Sequence, residues 1–146
     1  MKIVLTFHAF LKSFEKVDFI PLLLMRLYLF YVFWFEGVGK IDYFDKFSSY
    51  LGTLSIPFPD LFTWLVILVE AGGGALILVG LFVRWASVPL LIVMTFAGYL
   101  VHYQNGWPHE ANGIEFAATY SLMLMTLLCF GGGRYLSLDY WVSNKN

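Results

Sequence analysis

Residues 61–83 carry one charge, Glu70, in a run that is otherwise aliphatic, aromatic or small, and Asp60 and Arg84 bracket it. Such a run is long enough to cross the ~30 Å hydrocarbon layer as a helix, and a bilayer admits only helices and closed barrels. Three more apolar segments follow the same logic, over about residues 19–35, 85–101 and 114–130. Pro21 marks the start of the first, Pro89 lies one turn into the third as a candidate kink, and Gly131-Gly132-Gly133 closes the fourth. The sequence therefore predicts an all-α integral membrane protein, a single domain built as a four-transmembrane-helix bundle over residues 1–146.

Composition agrees. Of the 146 residues, 60% are hydrophobic and 13% charged, whereas a soluble domain is about a quarter charged. No basic stripe exists that would suit nucleic acid; the lipid bilayer is the expected partner. Cys129 is the only cysteine, which excludes an intrachain disulfide, a C-x-x-C pair or a thiolate cluster. It reads as a small buried apolar residue.

The flanking segments have their own patterns. Phe7, Phe10, Leu11, Phe14 and Val17 recur at helical spacing beside Lys12, Glu15 and Lys16, which predicts an N-terminal interfacial amphipathic helix over residues 1–18. The long outer first loop carries a stripe of Ile41, Phe44, Phe47, Leu51 and Leu54, expected to rest on the bilayer. Lys2, Lys12, Lys16, Arg84, Arg134 and Lys145 share one side of a four-span topology, against Lys40 and Lys46 on the other. This bias predicts that both termini are cytoplasmic.

Ionisable groups inside spans cost about 2.5–3.5 kcal/mol each at the bilayer centre, so they should face inward and find partners. Glu70 falls close to the midplane. Arg26, in the first span, is its expected partner; Glu36 and Lys40 are spaced i,i+4 on one helix face; His102 ends the third span and Glu115 opens the fourth. Together they predict a polar pocket opening outward, with Glu70, Glu115 and His102 as candidate proton-exchanging groups. Arg26, Glu36, Lys40, Tyr28, Tyr31 and Tyr99 are candidate substrate-binding residues. The competing reading is that these pairs only hold helices together. Gly72-Gly73-Gly74 either admits a close helix neighbour or loosens the helix beside Glu70. His102, His109, Glu110 and Glu115 match no metal signature by spacing, so no metal site is assigned.

The run from Gly39-Lys40 through Phe44 and Tyr50-Leu51 to Pro57-Phe58-Pro59 resembles the first outer loop of the DoxX family. Glu70-Ala71-Gly72-Gly73 with Gly80-Leu81 and Arg84 resembles its second span, His102, Asn105 and Gly106 its third-span exit, and Gly133-Arg134 with Ser137-Leu138-Asp139 its ending. Glu115 stands where the family usually opens its fourth span with a carboxylate. The resemblance covers roughly residues 20–140, with Gly132 where the family often has proline. It implies a bacterial or archaeal inner-membrane protein related to a subunit of terminal quinol oxidase and thiosulfate:quinone oxidoreductase. The tail and the 102–107 segment are similar to a branch linked to metal-binding peptide biosynthesis.

No residue pattern here carries electrons, so redox work would require a partner membrane or periplasmic protein, or a quinone as the diffusible cofactor. The expected function is an accessory subunit of an oxidoreductase system that binds a quinone or small polar substrate. Alternatives are a small-solute transporter and a non-catalytic anchor or assembly factor; a second copy of the chain is a further candidate partner.

Overall fold

The computed structural model describes residues 12, 17, 19–134 and 136–144. All regular structure among them is helical. The expected interfacial helix over residues 1–18 lies almost wholly outside them. Helix α1 is Phe19–Asp42, α2 is Phe44–Thr53, α3 is Pro59–Val79, α4 is Val83–Asn105, α5 is Glu115–Phe130 and α6 is Leu138–Ser143.

Three of these, α1, α3 and α4, are long and apolar enough to cross a membrane. Helix α5 is equally apolar but has 16 residues, about 24 Å at ~1.5 Å per residue. Their outward faces carry large apolar side chains such as Leu68, Trp85 and Phe130, as lipid contact requires. Leu29, Phe33, Ile77, Leu90, Leu124 and Leu127 form the buried centre where the long helices meet.

Boundaries differ from the sequence expectation in instructive ways. Helix α1 runs on past Phe35 to Asp42, so the span is longer than expected, and Glu36 and Lys40 share one helix face as their i,i+4 spacing predicts. Helix α3 stops at Val79 because Gly80 adopts φ +69°, a left-handed stop that glycine accepts without strain. Val83, expected to end the second span, instead opens α4.

Two wide π-type turns interrupt the long helices, Leu68–Gly72 in α3 and Ala97–His102 in α4. Such turns insert an extra residue per turn and often mark functional positions. The Phe44–Thr53 segment, expected to rest on the bilayer, packs against α3. Leu51 and Ser48 are buried, Phe44 packs on Trp64 at 5.1 Å, and the Ser48 hydroxyl donates to the Asp60 carboxylate at the start of α3.

Candidate functional site

The glycine run makes the site possible. A Cβ on Gly73 would stand 3.0 Å from Leu90, and one on Gly74 would stand 3.3 Å from Phe33 and from the Trp34 amide. Both glycines let neighbouring helices approach closely, while the wide turn occupies the adjacent Leu68–Gly72. The two readings of the run therefore hold side by side. Gly37 is the matching position on α1: a Cβ there would lie 2.6 Å from the Ala71 amide nitrogen and 3.1 Å from Glu70 Cβ. Helix α1 passes α3 at this point with no room for a methyl group.

One turn past Gly37, the Lys40 side chain reaches across to Glu70. Its Nζ donates to Glu70 Oε2 at 2.7 Å and to Glu36 Oε2 at 3.4 Å. Glu70 is 3% exposed, whereas the Glu36 side chain is 69% exposed. The ammonium also sits 5.5 Å over the Phe47 ring of α2, a favourable position for a cation. The result is a graded cluster: an enclosed carboxylate, a cation above it, then an open carboxylate.

The expected Arg26–Glu70 pair does not form. Antiparallel packing sets Gly37 against Ala71 and therefore carries Arg26 down to the far end of α3. There its guanidinium donates to four backbone carbonyls: Ile77 at 2.7 Å, Leu78 at 2.5 Å, Gly132 at 2.9 Å and Leu136 at 2.6 Å. Carbonyls at a helix end lack intrahelical partners and favour a cation. Arg26 thus clamps the α3 terminus to the 131–137 loop.

The same end is sewn further. Ser137 Oγ and the Asp139 amide both donate to Gly80 O at 2.9 Å. The Asp139 carboxylate accepts from the Phe82 and Val83 amides at 2.7 and 3.0 Å and caps α4 from a distant segment. That capping holds Phe82 at φ +50°, a conformation costly for a large side chain.

The remaining candidates occupy separate surroundings. His102 Nδ1 lies 2.9 Å from Asn112 O, which also accepts from Asn105 Nδ2 at 3.1 Å, so both side chains pin the loop before α5. Glu115 accepts from the backbone and ring nitrogens of His109 at 3.1 and 3.0 Å. With Glu110 these two place three ligand-type atoms within 4.8 Å of one another, and His102 stands outside that group. Tyr28 stands beside Tyr120, with ring centroids 6.1 Å apart. Tyr31 and Tyr99 are exposed and pack on Phe35 and Tyr103. Cys129, expected inside, is exposed, and its carbonyl accepts from Arg84 Nη2.

The DoxX family model matches residues 21–103, which span α1, α2, α3 and nearly all of α4. The chain belongs to the DoxX family. Membership associates this DoxX protein with membrane oxidoreductase systems in general. It is also 27% identical, over 82% of each chain, to an uncharacterized protein of Haemophilus influenzae. No solved structure matches it. The matched region contains Glu36, Gly37, Lys40 and Glu70, whereas the Asp139 cap and two of Arg26's acceptors lie beyond it.

Proposed function

We propose that this DoxX protein is a four-span accessory subunit of an oxidoreductase system in the bacterial inner membrane, with both termini cytoplasmic. In this reading α5 is the fourth span, and a partner protein docks at the outer face. The subunit binds a quinone or a small polar substrate at the Glu36, Lys40 and Glu70 cluster. The observation that carries the reading is the Lys40–Glu70 pair at 2.7 Å beside a wide turn of α3, with exposed Glu36 above it. Intramembrane ionisable groups mark substrate or proton pathways by default.

Each residue then has a distinct task. Lys40 presents an ammonium to a carbonyl or anionic oxygen of the ligand. Glu70 takes the released position on Lys40 when the ligand leaves and exchanges protons through Glu36. His102 and Glu115 shape the mouth by holding the 106–114 loop. Electrons come from the partner or from the quinone itself.

Partner-dependent quinone reduction by membranes carrying Glu70→Gln tests the role. Loss of reduction with normal insertion is expected, and unchanged reduction would overturn it. Native mass spectrometry of the chain from its own membranes would show whether a quinone or an oxidoreductase subunit travels with it.

A second reading, a non-catalytic anchor, is favoured by one observation. Among the described residues, every buried polar side-chain atom has a hydrogen-bond partner. It requires that Lys40 and Glu70, replaced together by apolar residues of similar size, leave partner activity intact.

A further inference from the structure

The loop before α5 brings together three side chains whose spacing in the sequence matches no metal signature. Asn112 adopts φ +59° and turns the chain back between His109 and Glu115. Backbone bonds fix that turn: the Gly113 amide donates to Pro108 O at 2.9 Å, the Ile114 amide to Gly106 O at 3.0 Å and the Glu115 amide to Trp107 O at 3.1 Å. His109 Nδ1 then lies 3.0 Å from Glu115 Oε2 and 3.6 Å from Glu110 Oε2. The imidazole rests against the Phe116 ring, with centroids 4.9 Å apart. The set is mixed in chemistry, one ring nitrogen and two carboxylate oxygens, all within 4.8 Å of one another.

Nδ1 carries at most one proton and so serves one carboxylate at a time, yet both carboxylates converge on it. A divalent cation would meet both oxygens and the nitrogen lone pair together. Zinc holds nitrogen and oxygen donors at ~2.0–2.1 Å, which sets neighbouring corners of its tetrahedron about 3.3 Å apart. The distances of 3.0 and 3.6 Å bracket that edge. The Glu110 side chain is 75% exposed and free to swing in to close the third edge. We infer that His109 Nδ1, Glu110 and Glu115 bind one zinc ion, with water in the fourth position. The ring ligates as the neutral imidazole with its proton on Nε2. A nitrogen donor favours zinc over calcium or magnesium, which take oxygen ligands. Bound there, the ion ties the 106–114 loop to the start of α5. The inference does not depend on what Lys40 and Glu70 do.

The test is zinc binding by the full, untagged chain in mild detergent, read by competition with a chromophoric chelator. One zinc per chain is expected. His109→Ala and Glu110→Gln should each weaken binding at least about tenfold, since even groups that only support a metal ligand cost that much when removed. Asp45→Asn on α2 should leave binding unchanged. Zinc should also slow hydrogen exchange at the amides of residues 111–115 in the unaltered chain but not in Glu110→Gln. A loop held only by its own hydrogen bonds would show no such response. Glu110 is exposed, so its replacement keeps the fold and leaves the test decisive if His109→Ala fails to fold. Calcium bound as tightly as zinc, zinc affinity unchanged in Glu110→Gln, or full affinity retained in His109→Ala would each overturn the assignment.

Discussion

Gly37 and Ala71 touch backbone to backbone: a methyl group on the glycine would stand 2.6 Å from the alanine amide nitrogen. This contact sets the register of α1 against α3, and the register decides which charges meet. Lys40 reaches Glu70 because it lies one turn beyond the contact; Arg26, about three turns before it, meets the α3 terminus instead.

Gly37→Ala should therefore separate the two helices and cost about 1–3 kcal/mol, the usual range for overpacking. Gly39→Ala is the control, since among the described residues nothing lies within 4 Å of its Cβ position. There the gain in helix propensity, about 0.5–1 kcal/mol, should dominate. Thermal unfolding in detergent should move in opposite directions for the two variants.

Lys40→Met should leave the Glu70 carboxylate buried without its cation and destabilise the protein by about 3–5 kcal/mol. Lys40→Met combined with Glu70→Leu should recover most of that loss. A double-mutant cycle read by thermal denaturation checks it. Additive losses would show that the two side chains do not depend on each other.

Arg26→Met should be among the most damaging single changes, because it strands carbonyls from α3 and from the 131–137 loop together. Each buried group left unsatisfied costs about 1–3 kcal/mol. Arg26→Lys should recover only part, since an ammonium has three donors and no fork. The yield of folded, monodisperse protein should fall in the order Arg, Lys, Met.

Asp139→Ala removes the cap on α4 and should cost about 0.5–2 kcal/mol. Asp139→Asn should lose less, because its one amide oxygen still accepts from one of the two amides, although its NH2 group cannot accept from the other. Hydrogen exchange at those two amides should rise in the alanine variant well before exchange in the middle of α4.

Much of this was legible from residues alone, and the limits have physical causes. The long helices follow from apolar length, and the Glu36–Lys40 pair follows from i,i+4 spacing. The extension of α1 to Asp42 was hidden because Gly37, Gly39 and two charges resemble the end of a span. Arg26's true partners were invisible for a different reason: backbone carbonyls have no letter in a sequence, so a buried cation invited the nearest carboxylate as its mate. Gly37 was missed as a positioning residue, although it stands three residues before Lys40 and in the same small-residue pattern as Gly73 and Gly74. The wide turn at Glu70 was legible only as one of two readings of the Gly72-Gly73-Gly74 run, because glycine serves both close packing and a loosened helix.

The Arg26 clamp also imposes an order on biosynthesis. Its acceptors lie as far as 110 positions downstream, so α1 enters the bilayer long before they exist. At roughly 5–20 residues per second, the guanidinium must wait about 5–20 s for Leu136 to emerge. During that interval the Arg26 guanidinium lacks two of its four carbonyl acceptors, those of Gly132 and Leu136. The clamp closes only once the 131–137 loop has reached the end of α3.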